Sequence, residues 1–349
     1  MIIREILVEP QAIAWLPWAV SYFFFIGLSV SSVFVGLLIN RVEKNQYHEF
    51  IAVTIALSCA IVAPIALTAD LHQPSRIMHF YVNLTPWSWM AWGAIFLPLF
   101  TLAVVGYFGC LLRQVIPSHK LPKFCHFVYW GNFNLSMWTN VFRFFSLLLA
   151  CLILVYTTME VFVIEARPLW HHYGLMPLIL FSAFPTALLL CRFFIACFTQ
   201  QSMPTYFSHL ILMSLIIFIG TLGGLYAWSE QTAFQLTQLW HFSSMPMLAV
   251  ICLVALSILI YLPHSLLLNI IRLLVALCFT WLVRWILLIQ VQSVAKYNAL
   301  MNPYHLTWHI DGTIGIVSVF SLWLFIGILL WQLLRSALSQ MDFTGGKYE

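Results

Sequence analysis

Charge is what this chain of 349 residues has least of: Asp, Glu, Lys and Arg together make up 7%, against roughly 25% in soluble domains. That scarcity excludes a water-soluble fold, and with 62% hydrophobic residues the chain reads as an integral membrane protein. No polar stretch is long enough to form a separate soluble domain. The 15 Lys and Arg are scattered between apolar runs, so the basic footprint of a nucleic-acid binder is missing and no nucleic-acid partner is expected. A second absence concerns cysteine. Cys59, Cys110, Cys125, Cys151, Cys191, Cys197, Cys252 and Cys278 lie almost entirely in apolar runs, and no two are paired as C-x-x-C. Iron-sulfur and zinc frameworks need closely spaced thiolates, so these read as small packing residues. A third absence is mid-span histidine. His72, His79, His171, His172, His241, His305 and His309 fall near one membrane edge and His48, His119, His126, His209 and His264 near the other, which argues against a transmembrane haem.

What is present is a series of nine hydrophobic segments, at about 11–40, 50–69, 87–112, 139–163, 173–199, 208–229, 241–261, 266–289 and 312–336. They are far longer than the ~10-residue strands of a membrane barrel, and in lipid the backbone must satisfy its own hydrogen bonds. The expected fold is therefore an all-α polytopic bundle of about nine transmembrane helices. The N-terminus, MIIREILVEPQ, carries both signs and leads into the first long run, which reads as a retained helix and not as a cleaved signal. Five basic residues (Arg4, Arg76, Arg167, Arg284, Lys296) fall on the N-terminal side and ten on the other. That bias predicts an outside N-terminus and a cytoplasmic C-terminus. Arg143, Arg192 and Arg272 sit toward inner span ends and are expected to snorkel to the cytoplasmic surface. Pro64, Pro98, Pro185 and Pro246 predict kinked helices.

Polar chemistry gathers at the outer edge. The stretch from Leu67 to Gly93, LTADLHQPSRIMHFYVNLTPWSWMAWG, places Asp70, His72 and Arg76 where the second apolar run ends. An ionisable group at that depth is a functional candidate, with Arg76 or His72 as its partner; the competing reading is a structural ion pair. In the fourth segment Tyr156 and Glu160 are four residues apart and share a helix face, and Tyr22 sits in the first segment among Trp15, Trp18 and Phe23. Phenols within aromatic walls suit a quinone head group, although tyrosine at membrane edges is also common. Two longer loops frame the bundle. Residues 113–138 read as an interfacial segment, and residues 290–311 read either as a partner-docking loop or as part of an aromatic belt.

Several of these residues carry a resemblance to the NrfD/PsrC family of polysulfide-reductase-type membrane subunits. They are Asp70-Leu71, Pro74 and Arg76, then Ser88, Met90, Trp92 and Gly93; Tyr22 with Gly27; and Tyr156-Thr157 through Pro168, Trp170 and Pro177. The chain departs from the pattern at Thr158, where many relatives have Gly, and at Leu288-Ile289-Gln290, where a Gly-Gly-Gln is usual. Its length, nine segments and late Lys296 loop resemble the branch of the family that serves tetrathionate reduction. The resemblance implies a quinol-site bundle over about 11–163 and a second bundle with an extra helix over about 173–336. It also implies a multi-pass protein of the bacterial inner membrane that oxidises menaquinol, or ubiquinol, and holds no haem or iron-sulfur cluster of its own. Electrons would pass to a periplasmic 4Fe-4S ferredoxin-like subunit and on to a molybdopterin catalytic subunit. Tyr22, Asp70, His72, Arg76 and Tyr156 would bind the quinol, and Asp70, His72 and Glu160 would take its protons. A polysulfide- or nitrite-type reductase anchor, a purely structural anchor, and a secondary transporter with a midplane polar site are the alternatives.

Overall fold

The computed structural model describes residues 13–71, 73–199, 205–263, 265–294 and 302–338. Among these residues all regular structure is helical. The order is α1 (Pro17–Val42), α2 (Gln46–Asp70), a 3-10 turn (Pro74–Arg76), α3 (His79–Val82), α4 (Trp89–Val115) and α5 (Leu135–Phe162), followed by α6 (Leu175–Thr199), α7 (Tyr206–Trp228), α8 (Glu230–Phe242) and α9 (Met245–Leu259). The last elements are α10 (Leu266–Trp285), which continues through a π-helical turn (Ile286–Gln290) into α11 (Val291–Ser293), and α12 (Thr313–Leu338).

Among the described residues eight helices are long and apolar enough to cross a membrane alone, and α8 with α9, a pair bent by 93°, brings the number to nine when counted as one broken span. Ser243 and Ser244 break the helix there, and Pro246 in the first turn of α9 fits a helix start, where its missing N–H costs nothing. Although α9 has only 15 residues, about 22 Å of rise, it matches α10 at both ends. Gln290 Nε2 donates to Ser243 Oγ at 2.6 Å at one end. At the other, Arg272 Nε donates to the Leu259 carbonyl at 2.8 Å and Nη2 to the Leu262 carbonyl at 2.5 Å. The helical bundle and its number of spans agree with the hydropathy.

The centre of the bundle is α1 with α2 and α6, whose most apolar windows are 78%, 72% and 72% buried, whereas α12 at 11% is a peripheral helix facing lipid. Helices gain little from the hydrophobic effect inside a bilayer, so close packing and interhelical hydrogen bonds hold this centre together. Gly36 lets α1 approach Ala52 and Val53, and Ser29 Oγ donates across to the Ala56 carbonyl at 2.7 Å. Thr186 on α6 donates to the Ala276 carbonyl of α10 at 2.8 Å, and Thr280 returns a bond to the Ser182 carbonyl at 2.7 Å. Rings of Phe24, Phe25, Trp281, Phe320 and Trp323 lock α1, α10 and α12 together.

The arginines differ from expectation. Arg272 is fully buried and Arg192 is 4% exposed. Arg143 is held inside by a carboxylate, so none of the three snorkels. Their guanidinium groups find fixed acceptors within the protein, which an isolated span in lipid does not offer. Arg284, assigned to the outer side from its place in the sequence, is likewise fully buried. It bridges α1 and α6 through the carbonyls of Phe23 (3.3 Å) and Ile179 (2.6 Å) and through Ser182 Oγ (2.7 Å). Gly27 makes room for it: a methyl group there would lie 3.0 Å from Arg284 Nη2.

Candidate functional site

Four of the six sequence-predicted site residues come together at the face of the bundle where α1 begins. Tyr22 on α1 is fully buried, and Tyr156 on α5 is 1% exposed. Tyr156 interacts electrostatically with both Tyr22 and Glu160, and Glu160 in turn with Asp70 at the end of α2. Tyr22 Oη and Glu160 Oε2 are buried with no partner in hydrogen-bonding geometry. Buried polar atoms are nearly always satisfied, so two orphans facing one tyrosine mark a place with unused hydrogen-bonding capacity. Arg76 does not join them. It is exposed on the 3-10 turn and forms no ion pair among the described residues. His72 lies outside the described residues.

Tyr156 also lines a cavity of about 420 Å³, bounded by Pro64, Leu67 and Thr68 of α2, Tyr81 of α3, and Gly93, Ala94, Pro98 and Leu102 of α4. That is within the usual range for a small-molecule site. Leu102 and Tyr81 are 64% and 46% exposed, so the cavity opens toward the lipid side of the bundle. Its wall carries two prolines in helix interiors, each of which removes one backbone N–H. Pro64 leaves the Ala60 carbonyl without its helical donor, and Thr101 Oγ1 of α4 lies 3.4 Å from it. Pro98 does the same to the carbonyl of Ala94, a lining residue. The side-chain hydroxyls of Thr68 and Thr101 bond to the backbone carbonyls of Pro64 (2.8 Å) and Leu97 (3.0 Å), which leaves Tyr156 and Tyr81 as the phenols of the cavity.

The neighbouring surface is held by Arg167 and Trp170, neither of them a predicted site residue. Arg167, between α5 and α6, donates to the carbonyls of Val291 and Gln292 at 2.8 Å each and also to that of Val294. Burial pushes its guanidinium below the ordinary value. Trp170 Nε1 donates at 2.6 Å to the carbonyl of Leu287, inside the π turn that contains the Leu288-Ile289-Gln290 departure from the family pattern. A π turn replaces the usual helical bonds with i→i+5 ones, and the tryptophan indole adds a side-chain donor to one of its carbonyls. Trp170 also stacks on Trp15 at 5.2 Å, which ties this corner to the start of α1.

At the opposite face stands a second polar cluster that sequence reasoning missed. Glu49, fully buried in the first turn of α2, accepts Arg143 Nε at 2.7 Å and Nη2 at 2.8 Å. It also accepts Asn40 Nδ2 at 2.9 Å and the Tyr107 hydroxyl. Arg143 Nη1 donates to Asn140 at 2.8 Å. The polar run before residue 50 reads as a loop, but Asn45 accepts from the N–H groups of Tyr47 (3.0 Å) and His48 (3.3 Å) and starts the helix before Glu49. That cap was the available signal. In the turn itself Glu43 accepts His48 Nδ1 at 2.6 Å and the Tyr206 hydroxyl. Burial pushes the Glu43 carboxyl up, but these bonds and the charge of His48 outweigh it and hold the carboxyl below its ordinary value. Among the described residues no three histidine, cysteine or carboxylate groups gather as a metal site would need.

The sequence comparisons agree with this architecture. Residues 7–296 match the family model described as polysulphide reductase, NrfD, a range that contains Tyr22, Asp70, Gly93, Tyr156 and Glu160. The chain is 37% identical to a tetrathionate reductase subunit of Salmonella typhimurium (strain LT2), over 96% of each chain. With that span of agreement and its membrane-crossing helices, the chain belongs to the NrfD polysulphide reductase family and is a multi-pass protein of the bacterial cytoplasmic membrane.

Proposed function

We propose that this chain is the quinol-oxidising membrane subunit of a reductase complex of the tetrathionate type. The observation that carries the reading is Tyr156: it lines a lipid-facing cavity and at the same time adjoins the buried Tyr22 and Glu160. A quinol diffusing in the bilayer reaches the cavity from the side, between α2 and α4. Its ring lies against Leu67, Leu97 and Pro98, and one hydroxyl meets Tyr156. Oxidation releases two electrons and two protons. The protons pass by way of Tyr156 to the Glu160 and Asp70 carboxylates and leave at that face, which on the charge bias is the periplasmic one. The electrons leave for a periplasmic 4Fe-4S subunit docked there, and from it reach a molybdopterin subunit where the terminal acceptor is reduced. Menaquinol is the favoured donor, with ubiquinol as the alternative.

The test is co-purification from mild detergent followed by metal analysis and menadiol-dependent tetrathionate reduction. Two soluble partners carrying iron and molybdenum, with quinol-dependent turnover that Tyr156→Phe and Asp70→Asn remove while the complex stays assembled, are the expected result. Full turnover in both variants would overturn the site, and a lone polypeptide without quinol response would overturn the function.

A further inference from the structure

From the contact between α4 and α5 we infer that Gly93 is the positioning residue for Tyr156, and that its missing side chain is what lets the phenol stand at the junction of the cavity and the buried cluster. The inference rests on the quinol reading of that cavity. Gly93 is buried in α4, one turn after the helix begins, at a position with ordinary helical conformation and no positive φ that would call for glycine. The backbone therefore does not require it, and in a helix interior glycine is less favourable than alanine. What requires it is the ring. A methyl group on Gly93 would fall inside Tyr156, against Cζ, Cε2 and the hydroxyl oxygen. Tyr156 is 1% exposed, with Glu160 and Tyr22 beside it and the cavity along its other edge, so the cavity is the space into which a displaced ring can move. The atoms in collision are the far end of a side chain and not backbone. An alanine at 93 is therefore accommodated by moving the phenol, with the two helices left in place.

The same pair of helices supplies a matched control. Gly106, 13 residues further along α4 and about 20 Å away, meets Phe142 of α5 in the same manner: a methyl there would collide with Cε1 and Cζ of that ring. Phe142 belongs to neither the cavity nor the cluster. If Gly93 only permits close packing of α4 on α5, the two glycines are equivalent. If it positions the phenol, they are not.

The experiment compares Gly93→Ala, Gly106→Ala, Tyr156→Phe and Gly93→Ala with Tyr156→Phe, all purified as the assembled complex, by menadiol-dependent turnover and by the location of the Tyr156 ring in a cryo-EM map. Expected are a tenfold or larger loss of kcat/KM in Gly93→Ala, a loss under twofold in Gly106→Ala, a double variant no worse than the weaker single, and a displaced Tyr156 ring. A ring still in its original place, equal losses for the two glycines, or losses that multiply in the double variant would overturn the positioning role. A displaced ring with unchanged turnover, or full turnover in Tyr156→Phe, would instead overturn the quinol reading beneath it.

Discussion

The two buried polar clusters, at opposite faces of the same four helices, are built on opposite principles. In the Glu49 cluster both carboxylate oxygens are bonded twice, to Arg143, Asn40 and Tyr107, and the remaining guanidinium edge is bonded to Asn140. In the Tyr156 cluster the Tyr22 hydroxyl and one Glu160 oxygen are buried without partners, and Tyr156 opens onto a cavity. A saturated network rigidifies a fold, because each group's desolvation is offset by a fixed partner. An unsaturated one is unfavourable until something fills it. The difference separates scaffold from site more clearly than residue type does, since each cluster consists of carboxylates, tyrosines and their neighbours.

The strongest way to break that contrast is to exchange the expected phenotypes. Tyr156→Phe and Glu160→Gln are expected to lower menadiol-dependent turnover at least 100-fold while detergent-extracted complex keeps its thermal midpoint; a stability loss with residual activity in proportion would place them with the scaffold. Arg143→Met is expected to do the reverse. Leaving Glu49 buried beside two uncharged partners should cost about 3–5 kcal/mol, read as loss of assembled complex, and Glu49→Gln in the same chain should recover much of it. A smaller effect concerns the lone guanidinium. Arg284→Lys should cost about 1–3 kcal/mol, because one ammonium cannot reach the Phe23 and Ile179 carbonyls and Ser182 in the fixed geometry a planar fork provides; an unchanged midpoint would show that the three acceptors do not need it. The smallest effect depends on pH. The carboxyl of Glu43 is held below its ordinary value in the folded protein, so its contribution is present above the unfolded value and is lost as pH falls through the folded one. The difference in midpoint between the native chain and Glu43→Gln should therefore shrink on acidification from neutral pH; a constant difference would assign the effect to packing.

Legibility differed by residue. Asp70, Tyr22, Tyr156 and Glu160 stood out because polar groups in apolar runs are costly and therefore conspicuous. Glu49 did not, because it sits one residue outside the apolar run, where an acid looks like ordinary loop. Arg143, Arg192 and Arg272 were visible but misread: snorkelling is the default for a span seen alone, and only neighbouring helices supply the acceptors that hold a guanidinium inside. The bend between α8 and α9 left only a weak mark, since a polar 13-residue amphipathic helix and the surface loop expected around it have similar composition.

The amino-acid sequence by itself determined that this chain crosses the membrane in about nine helices and that polar chemistry collects near Asp70. Burying an apolar chain in lipid leaves the backbone only helical solutions, and an ionisable group among apolar residues announces itself. Which side chains meet was decided by tertiary structure alone. Tyr156 rests against the bare α-carbon of Gly93, Glu49 is claimed by Arg143 from a helix 94 positions away, and the Trp170 indole finds a carbonyl in the π turn. Those pairings depend on the rotation and separation of helices distant in the chain. In lipid these are set by close packing and interhelical hydrogen bonds, and hydropathy along the chain records neither.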